Sequence, residues 1–190
     1  MPSQLKRPKH WPAHIHYIQS QVYHGSVPAD VLSFVRGVPS KPIRPVDKPG
    51  NTSTTFTVQL ISHSTHPACG QYGLFASKKI PPRTPIVDYL GEVHCDERPD
   101  SDYDISLYRF QDGVSVGSDA SRMGNEARFV NDYRGIRAKP NAEFRDGRKA
   151  SGELRMSVWS LTEPIKKGDE ILVSYGKAWW GSRTSESNVV

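Results

Sequence analysis

From Phe56 to Tyr175 the apolar residues of this chain fall into short β-branched and aromatic runs separated by turn residues. The runs are FTVQLIS (56–62), GLFA (73–76), PIVDYLGEV (85–93), VSVG (114–117) and ILVSY (171–175). Two more, NAEFR (141–145) and ELRMSVWSL (153–161), flank Asp146-Gly147, a hairpin-like signal whose connection is longer than a two-residue turn. This many short strands with little helix predict a mainly β domain. The chain has 190 residues, enough for one such domain with a core and a modest extension.

The residues before Phe56 read differently. Trp11-Pro12 can open a short helix, with Ile15, Ile18 and Val22 at helical spacing. Ser26 can cap a second, where Val31, Leu32 and Val35 form an apolar face before Gly37-Val38-Pro39 ends it. Residues 39–54 hold four prolines and Gly50, the composition of a linker or extended wrap. The expected organisation is a helical and Pro-rich N-terminal extension over 1–55, a domain over 56–181 and a flexible tail over 182–190.

The net charge of +5 is unevenly placed. Residues 1–55 carry seven Lys or Arg against Asp30 and Asp47, and the rest of the chain is balanced. A basic arm of this size suits nucleic acid, an acidic protein face, or plain solvation. No stretch approaches the roughly 20 apolar residues that cross a bilayer, so no membrane partner is expected. The start, MPSQLKRPKHWP, lacks the apolar run of a secretory signal. Cys69 and Cys95 form no metal-binding spacing, and two unclustered cysteines read as reduced thiols of the cytosol or nucleus. His10, His14, His16 and His24 lack a carboxylate or thiol partner in sequence, so no metal site is expected from them either.

Four strings, in order, carry more information than periodicity does: GQYGLFA (70–76), VDYLGEV (87–93), SDASRMGNEARFVND (118–132) and GDEILVSYG (168–176). Together they resemble the SET-domain family of protein lysine methyltransferases, in particular small fungal SET proteins without zinc-binding flanks. The resemblance covers about residues 56–180. It implies a SET fold of several short sheets with a C-terminal pseudoknot, S-adenosylmethionine as cofactor, and methyl transfer to a lysine.

The family pattern of the first string is Gly-x-Gly-[Val/Leu]-Phe-Ala. Here Gln71 takes the first glycine position, so the implied cofactor contacts fall on Tyr72, Gly73 and Leu74; a plain strand-entry turn is the alternative. In the second, Tyr89 resembles a wall of the lysine channel, although a half-buried strand tyrosine also serves packing. In the third, Arg128, Phe129 and Asn131 match the cofactor-binding pattern, and Asn131 would bind through its amide and main chain. Asp132 stands where the family has histidine, and Tyr133-Arg134 where it has Ser-Cys. That cysteine commonly helps hold a zinc, so its loss agrees with a zinc-free chain. In the fourth, Tyr175 aligns with the catalytic tyrosine, and Val173 leaves room in the channel for more than one methyl. Trp179 and Trp180 follow, either of which could cover adenine or pack in the core.

The acidic stretch 92–104, with Asp100, Asp102 and Asp104, falls where the family's variable insert borders the substrate groove. It reads as a lip for a basic peptide or as a solvated loop. The resemblance therefore implies a nuclear histone lysine methyltransferase, with some presence in the cytoplasm compatible, that acts on histone tails or nucleosomes as a chromatin regulator. A methyltransferase of another protein and a catalytically silent chromatin-binding SET module stay open. The apolar N-terminal face at 15–35 could pack in cis or form a homodimer.

Overall fold

The computed structural model describes residues 7–8, 11–39 and 55–176. Trp179, Trp180, the tail at 182–190 and residues 40–54 of the Pro-rich segment lie outside the described residues.

The N-terminal segment begins with two minimal strands, β1 (His16–Tyr17) and β2 (Val22–Tyr23), followed by one helix, α1 (Ala29–Arg36). The first expected helix does not form. Ile15 and Ile18 are buried, as its spacing required, but the backbone between them satisfies its N–H groups across the chain instead. His16 N–H donates to Arg122 O (2.9 Å) and Ile18 N–H to Gly124 O (3.0 Å). An available strand edge here outweighs local helical spacing. The second helix does form, two residues beyond the expected cap: Pro28 is its N-cap, and the Ser26 hydroxyl donates instead to Asp96 (2.6 Å). Val31 and Val35, one turn apart, face inward, and Gly37 at φ +60° ends the helix.

The domain continues with β3 (Phe56–Leu60), β4 (Tyr72–Ala76), β5 (Pro85–Tyr89), β6 (Glu92–His94), β7 (Asp104–Arg109), β8 (Ser115–Asp119) and β9 (Met123–Gly124). A 3-10 turn, Glu126–Phe129, leads into β10 (Asn131–Asp132), and β11 (Ala142–Arg148), β12 (Leu154–Ser160) and β13 (Leu172–Val173) complete it. The strands form small sheets: β3-β4, β11-β12-β5, β2-β6-β8-β7, and the two-residue parallel pairs β1-β9 and β10-β13. The expected hairpin is β11-β12, antiparallel from Ala142↔Ser160 to Arg148↔Leu154. The expected strand at 85–93 is broken at Leu90-Gly91 into β5 and β6, which join different sheets. A Cβ on Gly91 would run into the Asp119 carbonyl, so glycine allows the chain to cross there. Strand β7 begins at Asp104, the last residue of the stretch read as an acidic insert, and runs on to Arg109.

One apolar cluster, around Leu74, Tyr89, Phe129, Val158, Ile171 and Val173, lies under the C-terminal strands. A second gathers Val31 and Val35 of α1 against Val93, Leu107, Val116 and Leu154. The C-terminal segment is gripped from both sides. Ile171 N–H donates to Leu74 O (2.8 Å), while Tyr133 N–H donates to Val173 O (3.0 Å) and Asn141 N–H to Leu172 O (3.1 Å). Residues 133–141 thus straddle β13, the threaded arrangement expected of a C-terminal pseudoknot.

Candidate active site

Parallel pairing of β10 with β13 sets Asn131 opposite Leu172 and Asp132 opposite Val173, which brings the third and fourth strings together. Beside this junction lies a cavity of about 690 Å³, within the range of small-ligand sites. Tyr72, Arg128, Phe129, Asn131, Asp132 and Tyr175, all expected from sequence, line it.

Asn131 is oriented by acceptors. Its Nδ2 donates to Glu170 Oε1 (2.8 Å) and Tyr72 O (3.3 Å). A carboxylate only accepts, so the amide nitrogen must face Glu170. Glu170 is itself buried, and its other oxygen pairs with His66 Nε2 at 2.9 Å. Gly73 makes room for this: a Cβ there would lie 2.7 Å from Glu170 Oε1. Gly73 and Leu74 therefore stand behind the wall, and the turn lines the cavity with Gly70, Gln71 and Tyr72. Gly70, at φ +84°, makes the bend that Gln71 in the first glycine position left unexplained.

Asp132 is almost fully buried and accepts hydrogen bonds from Arg134 and Tyr175. Oδ1 receives the Arg134 N–H (2.9 Å); Oδ2 receives Arg134 Nη1 (2.7 Å) and the Tyr175 N–H (2.8 Å). The residue replacing the family's histidine thus holds the main chain of Tyr175, and Arg134, replacing its cysteine, neutralises it. The Tyr175 phenol donates to Val130 O (2.8 Å). Burial, reinforced by the nearby Asp132 carboxylate, pushes its pKa well above the usual 10 and keeps it neutral.

Tyr103, unnoticed in the sequence because it sits among polar insert residues, also lines the cavity. The Arg128 guanidinium lies 4.0 Å from its ring centroid, and its carbonyl accepts the Tyr89 hydroxyl at 2.6 Å. Tyr89 itself is 4% exposed and packs edge-on against Phe144, and Val173 is fully buried. Both belong to the core that backs the site and do not line the cavity.

The three aspartates part company. Asp102 lines the cavity together with the cofactor-string residues, Asp100 is exposed, and Asp104 bonds the buried His94 ring (2.9 Å). Other acids of the lip are paired too: Arg98 bridges Glu92, Asp96 and Asp119. Cys69 and Cys95 are free, and no group of three or more His, Cys, Asp or Glu converges among the described residues.

The sheets and this cavity define a domain class that comparison with known proteins identifies. The SET domain family model matches residues 71–176, more than half of the chain. The chain belongs to the SET-domain family. Over 112 residues it is 33% identical to the histone-lysine N-methyltransferase set-2 of Caenorhabditis elegans; that stretch is 55% of this chain and 7% of the longer relative. The ATXR5 structure in complex with histone H3.1 mono-methylated on R26 superposes with a TM-score of 0.62 at 18% identity, covering 85% of this chain and 81% of the other, which shows the shared fold. The ctPRC2 structure in an autoinhibited conformation bound to S-adenosylmethionine gives a TM-score of 0.50 at 25% identity, covering 70% of this chain and 17% of that one.

Proposed function

We propose that this chain is an S-adenosylmethionine-dependent protein lysine N-methyltransferase acting on a histone tail, and that it works in the nucleus. The observation that carries the reading is the convergence of Tyr72, Asn131 and Tyr175 on one cavity large enough for an adenosyl cofactor. The Asn131 side-chain carbonyl, which has no protein partner among the described residues, suits a donor on the ligand. Similarity to set-2 and to a complex that binds S-adenosylmethionine supports activity and cofactor.

When bound, the cofactor supplies a methyl group on a sulfonium for one-step displacement by the lysine nitrogen. The chain's own task is to align that nitrogen and keep it uncharged. Free lysine has a pKa of about 10.4, so the site must favour the amine. Tyr72, Tyr103, Phe129 and Tyr175 exclude water, which penalises the ammonium more than the amine. Tyr175 commits its proton to Val130 O and so turns its oxygen lone pairs outward, where they can hold a polarised methyl by CH···O contacts. Exposed Glu97, Asp100 and Asp102 suit a basic peptide.

Isothermal titration with S-adenosylmethionine, then methyl transfer to separate histones, intact nucleosomes and cell extract, tests the reading. Tyr175→Phe should lower turnover by at least ~100-fold with cofactor affinity little changed, since the lost oxygen acts mainly in the transition state. Near-normal turnover of that variant would remove Tyr175 from the chemistry. Absence of cofactor binding would leave a silent binding module, and transfer only to extract proteins would point to a non-histone substrate.

A further inference from the structure

The far wall of the cavity comes from outside the matched family segment: Pro12, His14 and Ile15 line it. This N-terminal segment is tied at three points, and all three lie on residues 122–129, the turn that delivers Arg128, Phe129 and Asn131 to the site. Strand β1 pairs in parallel with β9, His16 with Met123 and Tyr17 with Gly124. The Tyr17 hydroxyl donates to Glu126 Oε1 (3.2 Å), and burial beside that carboxylate pushes the Tyr17 pKa up to about 12. The Trp11 ring meets Phe129 edge-on at 5.3 Å and Tyr17 at 5.0 Å, while its indole N–H donates to Ile15 O (2.7 Å). Phe129 in turn packs on Tyr72 at 5.6 Å, so one chain of rings runs from the N-terminal segment to the turn opposite Asn131.

We propose that residues 11–18 are part of the cofactor-binding site, a docked wall whose seating and cofactor binding stabilise each other. The proposal rests on the S-adenosylmethionine reading of the cavity. The wall and the Asn131 strand share one support, the 122–129 turn. A ligand that contacts both faces orders the turn from within, and docking of Trp11 orders it from outside. Two events that order the same element are coupled, and the coupling is reciprocal. Trp11 is a positioning residue here, because it acts through Phe129 and Ile15 and is not among the cavity-lining residues.

Reciprocity gives the test, made on the whole chain with S-adenosylhomocysteine as probe. Hydrogen exchange should slow on ligand addition at the amides of His16 and Ile18, which bond to Arg122 and Gly124. It should not slow at His24, whose amide bonds to Val93 O in the other sheet. Trp11→Ala should weaken probe affinity by about 10-fold, inside the usual range for coupled sites. His14→Trp, at an exposed wall position, should weaken it comparably without lowering the melting temperature. A probe that binds the unmutated protein but leaves His16 and Ile18 exchange unchanged, with both variants binding normally, overturns the proposal while the cofactor reading stands. A probe that gives no heat with the unmutated protein overturns both.

Discussion

Asp132→Asn isolates what the buried carboxylate does for catalysis. The substitution keeps shape and main chain, so the backbone of β10 beside the cavity is undisturbed. Electronically it is severe, because the carboxylate accepts from donors on both oxygens: the Arg134 N–H on one, Arg134 Nη1 and the Tyr175 N–H on the other. An amide presents one oxygen. With that oxygen toward Tyr175, the new NH₂ faces the Arg134 amide; turned round, it faces both Arg134 Nη1 and the Tyr175 amide. Either way donor meets donor, at least one bond is lost, and the Arg134 cation loses its counter-charge.

Hydrogen bonds to charged groups contribute about 1.5–3 kcal/mol each. The Arg134 side chain is 37% exposed and recovers part of its loss through water, so the net cost is about 2–3 kcal/mol. For a chain of this size that lowers the melting temperature by about 5–10 °C. The kinetic effect should be larger. Release of the Tyr175 amide lets the phenol shift, and a displacement of about 1 Å at a reacting centre costs on the order of 100-fold in rate. Melting curves, cofactor titration and single-turnover methyl transfer on folded protein separate these quantities: stability down moderately, cofactor affinity little changed, rate down about 100-fold. Loss of the expected stability with an unchanged rate would refute the idea that Asp132 positions Tyr175.

Asn131→Ala should act in the opposite sense to Tyr175→Phe, weakening cofactor binding directly because its amide faces the cavity; titration of the two variants side by side checks this. Glu170→Gln should reproduce part of the loss, since the carboxylate orients the Asn131 amide and pairs with His66. Methyl transfer should survive a strong chelator, and inhibition with stoichiometric zinc by elemental analysis would contradict that. His94 is buried, which favours its neutral form, but hydrogen bonding and charge from Asp104 outweigh this and raise its pKa above 6.5. A raised folded-state pKa means the stabilisation is complete below about pH 6.5 and is lost as pH rises through the folded value. Thermal melts from pH 6 upward should show that decline, and His94→Gln should flatten it.

The β segmentation was legible because strands such as Phe56–Leu60 and Leu154–Ser160 are each long enough to show their composition between turn residues. The first helix was misread for a reason local sequence cannot supply. Ile15 and Ile18 need burial in either conformation, and the choice was made by the edges of β6 and β9, about 70 to 100 residues away. Strand β7 was missed because only Leu107 of its six residues is buried; its pairing with β8, not its own pattern, makes it a strand. Tyr103 was lost with it. The cofactor strings were legible as words, but Gly73 shows the limit of reading them so. Its string implies a main-chain contact to the ligand, and what the geometry adds is that its side-chain space is taken by a glutamate from another string.

That interlocking of strings reflects how the site is built. Tyr175 is tied at both ends to residues 130–132, its amide to Asp132 of β10 and its hydroxyl to Val130 O just before that strand, across more than 40 positions of sequence. The strand carrying Asn131 and the strand leading to Tyr175 are therefore one hydrogen-bonded unit, and a shift of either moves the other. On the proposed reading, binding and chemistry separate only at the side-chain tips, which is why Tyr175→Phe and Asn131→Ala are expected to divide rate from affinity. A change at Asp132, which joins the two strands, acts on the geometry they share. The same reasoning explains why Asp132 and Arg134 depart together from the family pattern. A carboxylate buried at this junction needs a cation, and the N–H and guanidinium two residues on are the donors within reach.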